Sequence, residues 1–273
     1  MSMIQMDMDS YAALPHMNQS TLKQGLRSMQ HLKSAIEGEN RKETDALRFG
    51  QLVHTAVLEP DLLSMEYAIA PSVDRRTKAG KQEWEDFTRV HEDKVVVKKE
   101  DYEKALAMRD SVMQHPAAKA LLIRDRMTEV TATWNHEGTD CKARLDGYIA
   151  PRGKAKPIIL DLKTTMDASP DGFARSVAKF NYHLQQAFYV DAVKSIKKRH
   201  AQFVFIAVEK EPPYAVGVYT LTGDAEELGR KMYKDVLTRW RDSVQSNHAV
   251  GYGDSIQEIE LPGWAVSSSD LIL

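Results

Sequence analysis

Three short stretches with the apolar–polar alternation of β-strands follow one another between residues 128 and 164. The alternation begins at Thr128 and resumes at residues 141–150 and 157–164, after polar turns that contain glycine. Three strands at such close spacing form an antiparallel meander. This segment constrains the fold most, because a meander fixes both the order of its strands and the side chains that share a face.

Two carboxylates and one ammonium group are expected to meet in this meander. Asp146 lies near the end of its second strand, and Asp161 and Lys163 lie two apart on the third, where side chains point to one face. Four apolar residues surround Asp161 on that strand: Ile158, Ile159, Leu160 and Leu162. Such a run indicates a central, buried strand, in which a carboxylate or an ammonium is costly unless it pairs or binds a metal.

The residue types in this pattern point to metal-assisted chemistry. Carboxylate oxygens are the ligands that Mg²⁺ prefers, and carboxylates with a lysine can support attack on a phosphodiester. The triplet at residues 161–163, taken alone, is more typical of a solvated strand end. With Asp146 one strand earlier and Glu129 on the strand before that, the pattern favours a metal site.

His54 falls within a helix predicted at residues 44–59, on a stripe that also carries Leu47 and Leu58. A lone histidine in such a place is more often a core residue than a ligand. The alternative is that His54 reaches the metal site as a ligand or as the partner of a bound water. Its spacing alone leaves both interpretations open.

The rest of the chain alternates helical and strand periods, which predicts an α/β (α+β) core with a central mixed β-sheet flanked by helices. Residues 1–17 read as an irregular lead-in. Further helices are predicted at 18–36, 100–114, 169–179, 182–196 and 224–246, and further strands at 67–70, 202–208, 214–221 and 256–261. We expect a single domain over residues 1–273, with a mainly helical part at 1–125, a catalytic core at 126–222 and a C-terminal helix and tail at 223–273.

Charge and composition restrict the partners. The net charge of −2 provides no global basic field, so a DNA partner would have to be held by local patches. One candidate loop carries four cations: Arg75, Arg76, Lys78 and Lys81. One interpretation is a solvated loop before a helix. The other, equally open, is a loop that contacts phosphates, because the next acidic residue that could pair with these cations is Glu83. The single cysteine, Cys141, excludes an internal disulfide and is typical of a reducing cytoplasm. No apolar run approaches the roughly 18 residues of a membrane span, so no membrane partner is expected.

Together these motifs resemble the PD-(D/E)XK nuclease superfamily and, more narrowly, the RecE-type (exodeoxyribonuclease VIII-like) exonucleases of phages and prophages. The resemblance covers about residues 18–220. Its motifs are Gly50-x-x-x-His54 with Leu58-Glu59-Pro60, Glu129, Lys142-x-Arg144-x-Asp146, Asp161-x-Lys163-Thr164-Thr165 and Tyr182-His183-x-Gln185-x-x-x-Tyr189. The combination is specific although no single motif is. Leu145 stands where the superfamily signature has proline.

The resemblance implies a restriction-endonuclease-like core and a role for each matching residue. Asp146, Asp161 and the main-chain carbonyl of Leu162 would bind Mg²⁺, for which Mn²⁺ can substitute, and His54 and Glu129 would complete the shell. Lys163 would orient or help deprotonate the attacking water. Gln185 and Tyr189 would orient the site and touch the DNA, and Arg144 and Thr164 would join the basic loop as DNA contacts.

The implied activity is 5′-to-3′ digestion of one strand from double-stranded DNA ends, which leaves a 3′ tail for a RecT-like single-strand annealing protein. A ring-shaped homo-oligomer, encoded by a phage or prophage and located in the bacterial cytoplasm, is expected on the same ground. Two alternatives stay open: a structure-selective endonuclease of the same superfamily, and a module that binds DNA without cleaving it. The intact set of Asp146, Asp161 and Lys163 argues against the second.

Overall fold

A computed structural model describes residues 1–38, 44–253 and 255–263 of the chain. Its strands are β1 Ser2–Gln5, β2 Tyr67–Ile69, β3 Val95–Val97, β4 Met127–His136, β5 Thr139–Ile149, β6 Ile158–Thr165, β7 Gln202–Glu209 and β8 Val216–Tyr219. The central sheet has the order β1-β4-β5-β6-β7-β8. β4, β5 and β6 form the predicted antiparallel meander, β6 and β7 are parallel, and β1 and β8 are antiparallel edge strands. β2 and β3 form a separate parallel pair.

The helices are α1 Met8–Ala13, α2 Gln19–Leu22, α3 Met29–Ile36, α4 Asp45–Leu58, α5 Leu63–Glu66, α6 Lys78–Val90, α7 Lys99–Gln114, α8 Pro116–Leu122, α9 Pro170–Phe180, α10 Tyr182–Lys197 and α11 Gly223–Ser246. Short 3₁₀ turns lie at Lys23–Leu26 and Pro60–Leu62. No helix in these described residues combines the length and apolar character that crossing a bilayer requires.

Helices cover both faces of the sheet because its central strands are apolar on both faces. On β7, Phe203 and Phe205 pack in one cluster with α9, α10 and α11. Their neighbours Val204 and Ile206 pack in a second cluster with α4, α7 and α8. A parallel pair buried in this way reads as a nearly continuous apolar run. The predicted fold class, a mixed α/β sheet flanked by helices, is confirmed.

The N-terminal residues depart from the prediction of an irregular lead-in. β1 pairs with β4, and α1 follows with an N-cap from Asp7. Carbonyls at the end of α1 then accept hydrogen bonds from the Lys142 ammonium, which is buried in β5. A four-residue strand and a six-residue helix are too short to give a periodic signal, so the prediction was wrong here.

Two further predictions are corrected. The helix predicted at residues 18–36 is interrupted, because Ser28 adopts an extended backbone and its hydroxyl accepts from the His31 N–H to cap α3. The strand predicted at residues 256–261 does not form. Its apolar side chains are exposed, and a strand needs a neighbour that satisfies its backbone groups.

Candidate active site

The site lies where β5 and β6 separate. The two strands pair only through residues 147–149 and 158–160, so Asp146 and Asp161 are the first residues beyond this short ladder and lie at the same end of it. Beyond the last pair, the Leu162 N–H donates to Asp146 Oδ2 at 2.8 Å. The carboxylate therefore satisfies a backbone donor that the diverging strand leaves open, which fixes its position.

Asp161 is 1% exposed and is held from two sides. Gln185 Nε2 donates to its Oδ1 at 2.5 Å, and the Lys163 ammonium lies 2.6 Å from its Oδ2. At this distance the ammonium donates a charge-assisted hydrogen bond to the buried Oδ2, in addition to the ion pair. Gln185 reaches Asp161 because α10 packs on the face of β6 to which Asp161 points.

Lys163 is a cation in this setting. Burial opposes its charge, but the Asp161 and Asp146 carboxylates raise its pKa above the ordinary value. Its ammonium also lies 4.9 Å from the centre of the Tyr182 ring. A protonated lysine donates hydrogen bonds and offsets negative charge, which is what the predicted orienting role requires.

His54, on α4, faces Asp146 with a lone pair. Its Nε2 lies 2.9 Å from the Leu162 carbonyl oxygen, which can only accept, so Nε2 carries the proton. Nδ1 then lies 3.5 Å from Asp146 Oδ2. Burial and the Lys163 charge lower the pKa of His54, which keeps its ring neutral. Either a proton or a bound metal ion between these two atoms would remove their mutual repulsion.

Glu129 lies on β4 opposite Asp146, in a backbone conformation that costs energy. Its φ is +50°, in the left-handed region, and it is missing from a β4–β5 ladder that includes both of its neighbours. For a residue with a Cβ this costs about 1–2 kcal/mol. Arg144 Nε donates to the Glu129 carboxylate at 2.6 Å. Burial and the Asp146 carboxylate raise the pKa of Glu129.

His54, Glu129 and Asp146 each offer one ligand atom, and these atoms lie within 4.8 Å of one another. Burial, followed by the Asp161 carboxylate, raises the pKa of Asp146 to about 7. A bound divalent cation would relieve this concentration of buried acceptors. Two carboxylates and an imidazole form a donor set suited to Mn²⁺ and, through the carboxylates, to Mg²⁺. Asp161 lies outside this group, although its carboxylate is a further acceptor close enough to act on Asp146.

The Leu162 carbonyl, Arg144 and Thr164 have different surroundings in the structure. The Leu162 carbonyl accepts from His54. The Arg144 guanidinium forms hydrogen bonds inside the protein, to the Glu129 carboxylate and to the Met6 carbonyl. Thr164 lines the cleft above the site. This cleft has a volume of about 520 Å³.

Gln185 and Tyr189 are buried, and the Tyr189 hydroxyl contacts the Gln185 side chain. Their positions are those expected for residues that orient Asp161. They present almost no surface to a DNA molecule, so the expectation that they touch DNA does not fit this structure.

The basic loop does not line the cleft. Arg76 pairs with Asp74 at 3.0 Å, which corrects the assumption that nearby acids leave these cations unpaired. The Arg75 guanidinium lies 4.4 Å from the centre of the Trp84 ring. Lys78 and Lys81 belong to the first turn of α6, which Thr77 caps. The loop leads into a helix, as expected, and whether its cations contact DNA stays a prediction.

Two residues at the site had no predicted role, although Tyr182 stands in one of the motifs that carry the resemblance. Tyr182 lines the cleft beside Lys163 and lies three residues before Gln185, so helical spacing could have identified it. The Lys23 ammonium lies 5.6 Å from the centre of the same ring. Lys23 comes from a short turn far away in the sequence, where no local pattern marks it.

The chain is similar to one described protein family and to solved structures. Residues 18–261 match the family described as "PDDEXK-like domain of unknown function (DUF3799)". A crystal structure of a "putative exonuclease" from Eubacterium rectale superposes with a TM-score of 0.63 at 13% identity, over 97% of this chain and 99% of that one. A crystal structure of SSO0001 gives a TM-score of 0.27 at 14% identity, over 69% of this chain and 85% of that chain. No curated protein matches the sequence.

The match to the family covers most of the chain and includes every residue of the site. The structural likeness to the Eubacterium rectale protein extends over nearly the full length of both chains and shows the same fold. The chain therefore belongs to the family of PDDEXK-like domains of unknown function, DUF3799, and has a nuclease-type fold.

Proposed function

We propose that this chain is a Mg²⁺-dependent exonuclease that digests one strand of linear double-stranded DNA in the 5′-to-3′ direction. The observation that carries the proposal is the convergence of His54, Glu129 and Asp146 beside the buried pair of Asp161 and Lys163. These are the groups that hydrolysis of a phosphodiester requires: acceptors for a hard cation and a fixed ammonium.

The side chains have separate tasks in this proposal. A divalent cation held by His54, Glu129, Asp146 and Asp161 would lower the pKa of a bound water and offset charge on the phosphate. Lys163 would donate to a phosphate oxygen and stabilise the charge that develops there. Gln185 keeps the Asp161 carboxylate oriented, and the Leu162 N–H does the same for Asp146.

Two sources support exonuclease action, and one of them, the resemblance, also supports the polarity and the assembly. The resemblance to RecE-type enzymes implies digestion from ends, 3′ tails, an annealing partner and a ring of identical copies. The fold neighbour from Eubacterium rectale also carries the name of an exonuclease. On this basis we propose that the chain acts in the bacterial host with a RecT-like annealing protein.

A linear duplex labelled at one 5′ end, beside a covalently closed circle, tests the proposal. With Mg²⁺, the native protein should release the label in short products and leave the circle whole, and EDTA should stop the reaction. Asp161→Asn and Asp146→Asn should lose cleavage. Asp93→Asn, which alters an exposed acid after α6, should cleave at the native rate.

Each other outcome rejects part of the proposal. Cleavage of the closed circle would assign an endonuclease instead. Gradual shortening of the labelled strand, with the 5′ label kept on long products, would reverse the polarity. Binding of the duplex without cleavage under any divalent cation would leave a DNA-binding module. Cleavage by Asp161→Asn at the native rate would show that this site is not the catalytic one.

A further inference from the structure

A surface of aromatic rings and amines continues outward from the active-site cleft. Its members, here called the aromatic–lysine surface, are Lys23, Lys163, Lys179, Phe180 and Tyr182. The Tyr182 ring lines the cleft, and the Phe180 ring stacks on it with centroids 5.6 Å apart and planes at 30°. Phe180 is 48% exposed. A lone exposed apolar side chain is ordinary, but this one extends a ring that already forms the wall of the cleft.

The backbone holds the two rings together. Phe180 ends α9 and Tyr182 begins α10, and Asn181 between them has a left-handed φ of +53°. This change of chain direction places the rings of Phe180 and Tyr182 side by side, although residues two apart in a single helix do not face each other. Beneath Tyr182 lie Phe173 and Phe205, with centroids 6.2 and 6.0 Å from its own. The inner ring is therefore fixed from below, and the outer ring faces solvent.

Ammonium groups surround these rings. The Lys163 and Lys23 nitrogens lie 4.9 and 5.6 Å from the centre of Tyr182, and the Lys179 nitrogen lies 5.5 Å from the centre of Phe180. Lys163 is paired with Asp161. Among the described residues, no carboxylate forms an ion pair with Lys23 or Lys179. Burial and the Lys163 charge lower the pKa of Lys23 to about 7, so Lys23 is charged in only part of the molecules at neutral pH, and a phosphate beside it would favour the charged form. The surface is apolar at its centre and cationic at its edges.

We propose that the aromatic–lysine surface binds the DNA strand that is being degraded, with an unpaired nucleobase stacked on Phe180 and phosphates beside Lys23 and Lys179. Aromatic rings bordered by cations suit a single strand of any sequence, because every base has a π-face. The Tyr182 ring contacts both Phe180 and the Lys163 ammonium, so a base stacked on Phe180 would lie close to a phosphate beside Lys163. This inference rests on the proposed function, because it takes the cleft as the place of hydrolysis.

A thymidine oligonucleotide that carries 2-aminopurine, a base whose fluorescence is quenched by stacking, tests this inference in EDTA, where binding is measured without cleavage. The native protein should bind and quench it. Phe180→Ala should lose the quenching and bind about 5- to 150-fold more weakly, and Phe180→Trp should keep both. Ile123→Ala removes another exposed apolar side chain, just after α8, and should bind like the native protein.

The salt dependence of binding tests the lysine. Lys23→Met should reduce the slope of log affinity against log salt by about 0.7, the value for one phosphate contact on a single strand, and Lys23→Arg should keep the native slope. An unchanged slope in Lys23→Met would remove Lys23 from the binding surface and overturn that part of the inference.

The remaining outcomes separate this inference from the proposed function. If Phe180→Ala binds and quenches like the native protein, the inference is overturned. The proposed nuclease activity is tested separately, by cleavage of the labelled duplex. Quenching that depends on Phe180 in a protein that never cleaves DNA would support binding of a single strand to this surface and reject the degradation of that strand. A changed particle mass in Phe180→Ala, with quenching unchanged, would overturn the inference and assign Phe180 to a contact between copies.

Discussion

The ammonium nitrogen of Lys163 lies 2.6 Å from Oδ2 of Asp161, beside the point where β5 and β6 diverge. The Asp161 side chain is 1% exposed and that of Lys163 17%. A buried charge that loses its partner is strongly destabilising, so each of these groups offsets the free-energy cost of burying the other. The pair is therefore part of the fold as well as of the chemistry.

Replacing Lys163 with methionine should destabilise the metal-free protein by about 3 kcal/mol, because Asp161 is left buried with Gln185 as its remaining partner. The double variant Lys163→Met/Asp161→Asn should recover most of this loss, since neither charge remains. Urea unfolding in EDTA measures both free energies. Equal stabilities of the single and double variants would show that the two groups are not coupled.

Stability of the metal-free protein should depend on pH through Asp146. Burial first, and then the Asp161 carboxylate, raise its pKa from 3.8 to about 7, so the folded chain holds this proton more tightly than the unfolded chain. The resulting stabilisation is complete below about pH 4 and is lost as the pH rises through about 7. Asp146→Asn has no such proton. Thermal unfolding in EDTA should therefore show the native protein losing stability relative to Asp146→Asn as the pH rises, and a difference that is independent of pH would contradict this.

Gln185 should act as a positioning residue through its 2.5 Å hydrogen bond to Asp161. Gln185→Met should lower kcat by about 10- to 100-fold with little change in KM, because the carboxylate loses its orienting donor. Tyr189→Phe is the matched control: it removes only a hydroxyl that contacts Gln185 and should cost much less. Steady-state digestion of linear duplex DNA measures both constants. Similar losses in the two variants would place the effect in packing rather than in orientation.

The left-handed backbone at Glu129 predicts an inverted order of stability. Glycine in a strand is normally less stable than alanine, but at a φ of +50° alanine bears the clash that glycine avoids. Glu129→Gly should therefore be more stable than Glu129→Ala by about 1 kcal/mol, although both lack the carboxylate. Chemical denaturation of the two variants gives the difference directly. The usual order, with alanine the more stable, would show that no strain is stored at this position.

The central meander could be predicted from the sequence because strand alternation is a strong local signal and its turns are short. The burial of Asp161 followed from the apolar residues beside it on β6. The hydrogen bond from Gln185 to Asp161 agrees with the role that the RecE-type resemblance implies for this glutamine.

Other parts of the site depend on contacts between distant segments. The direction of the His54 lone pair is set by the Leu162 carbonyl, and the approach of Lys23 to Tyr182 by packing of a turn far away in the chain. The short strand β1 is recognisable only from its pairing with β4. No periodicity within one segment encodes these relationships, so they required the structure.

The most direct test of the central claim is an anomalous difference map from crystals of the native protein grown with Mn²⁺. The account predicts a peak between His54 Nδ1 and the carboxylates of Glu129 and Asp146, and no peak in crystals of Asp146→Asn. A map with no peak at the opening between β5 and β6, from crystals whose protein digests linear DNA under the same Mn²⁺, would contradict it.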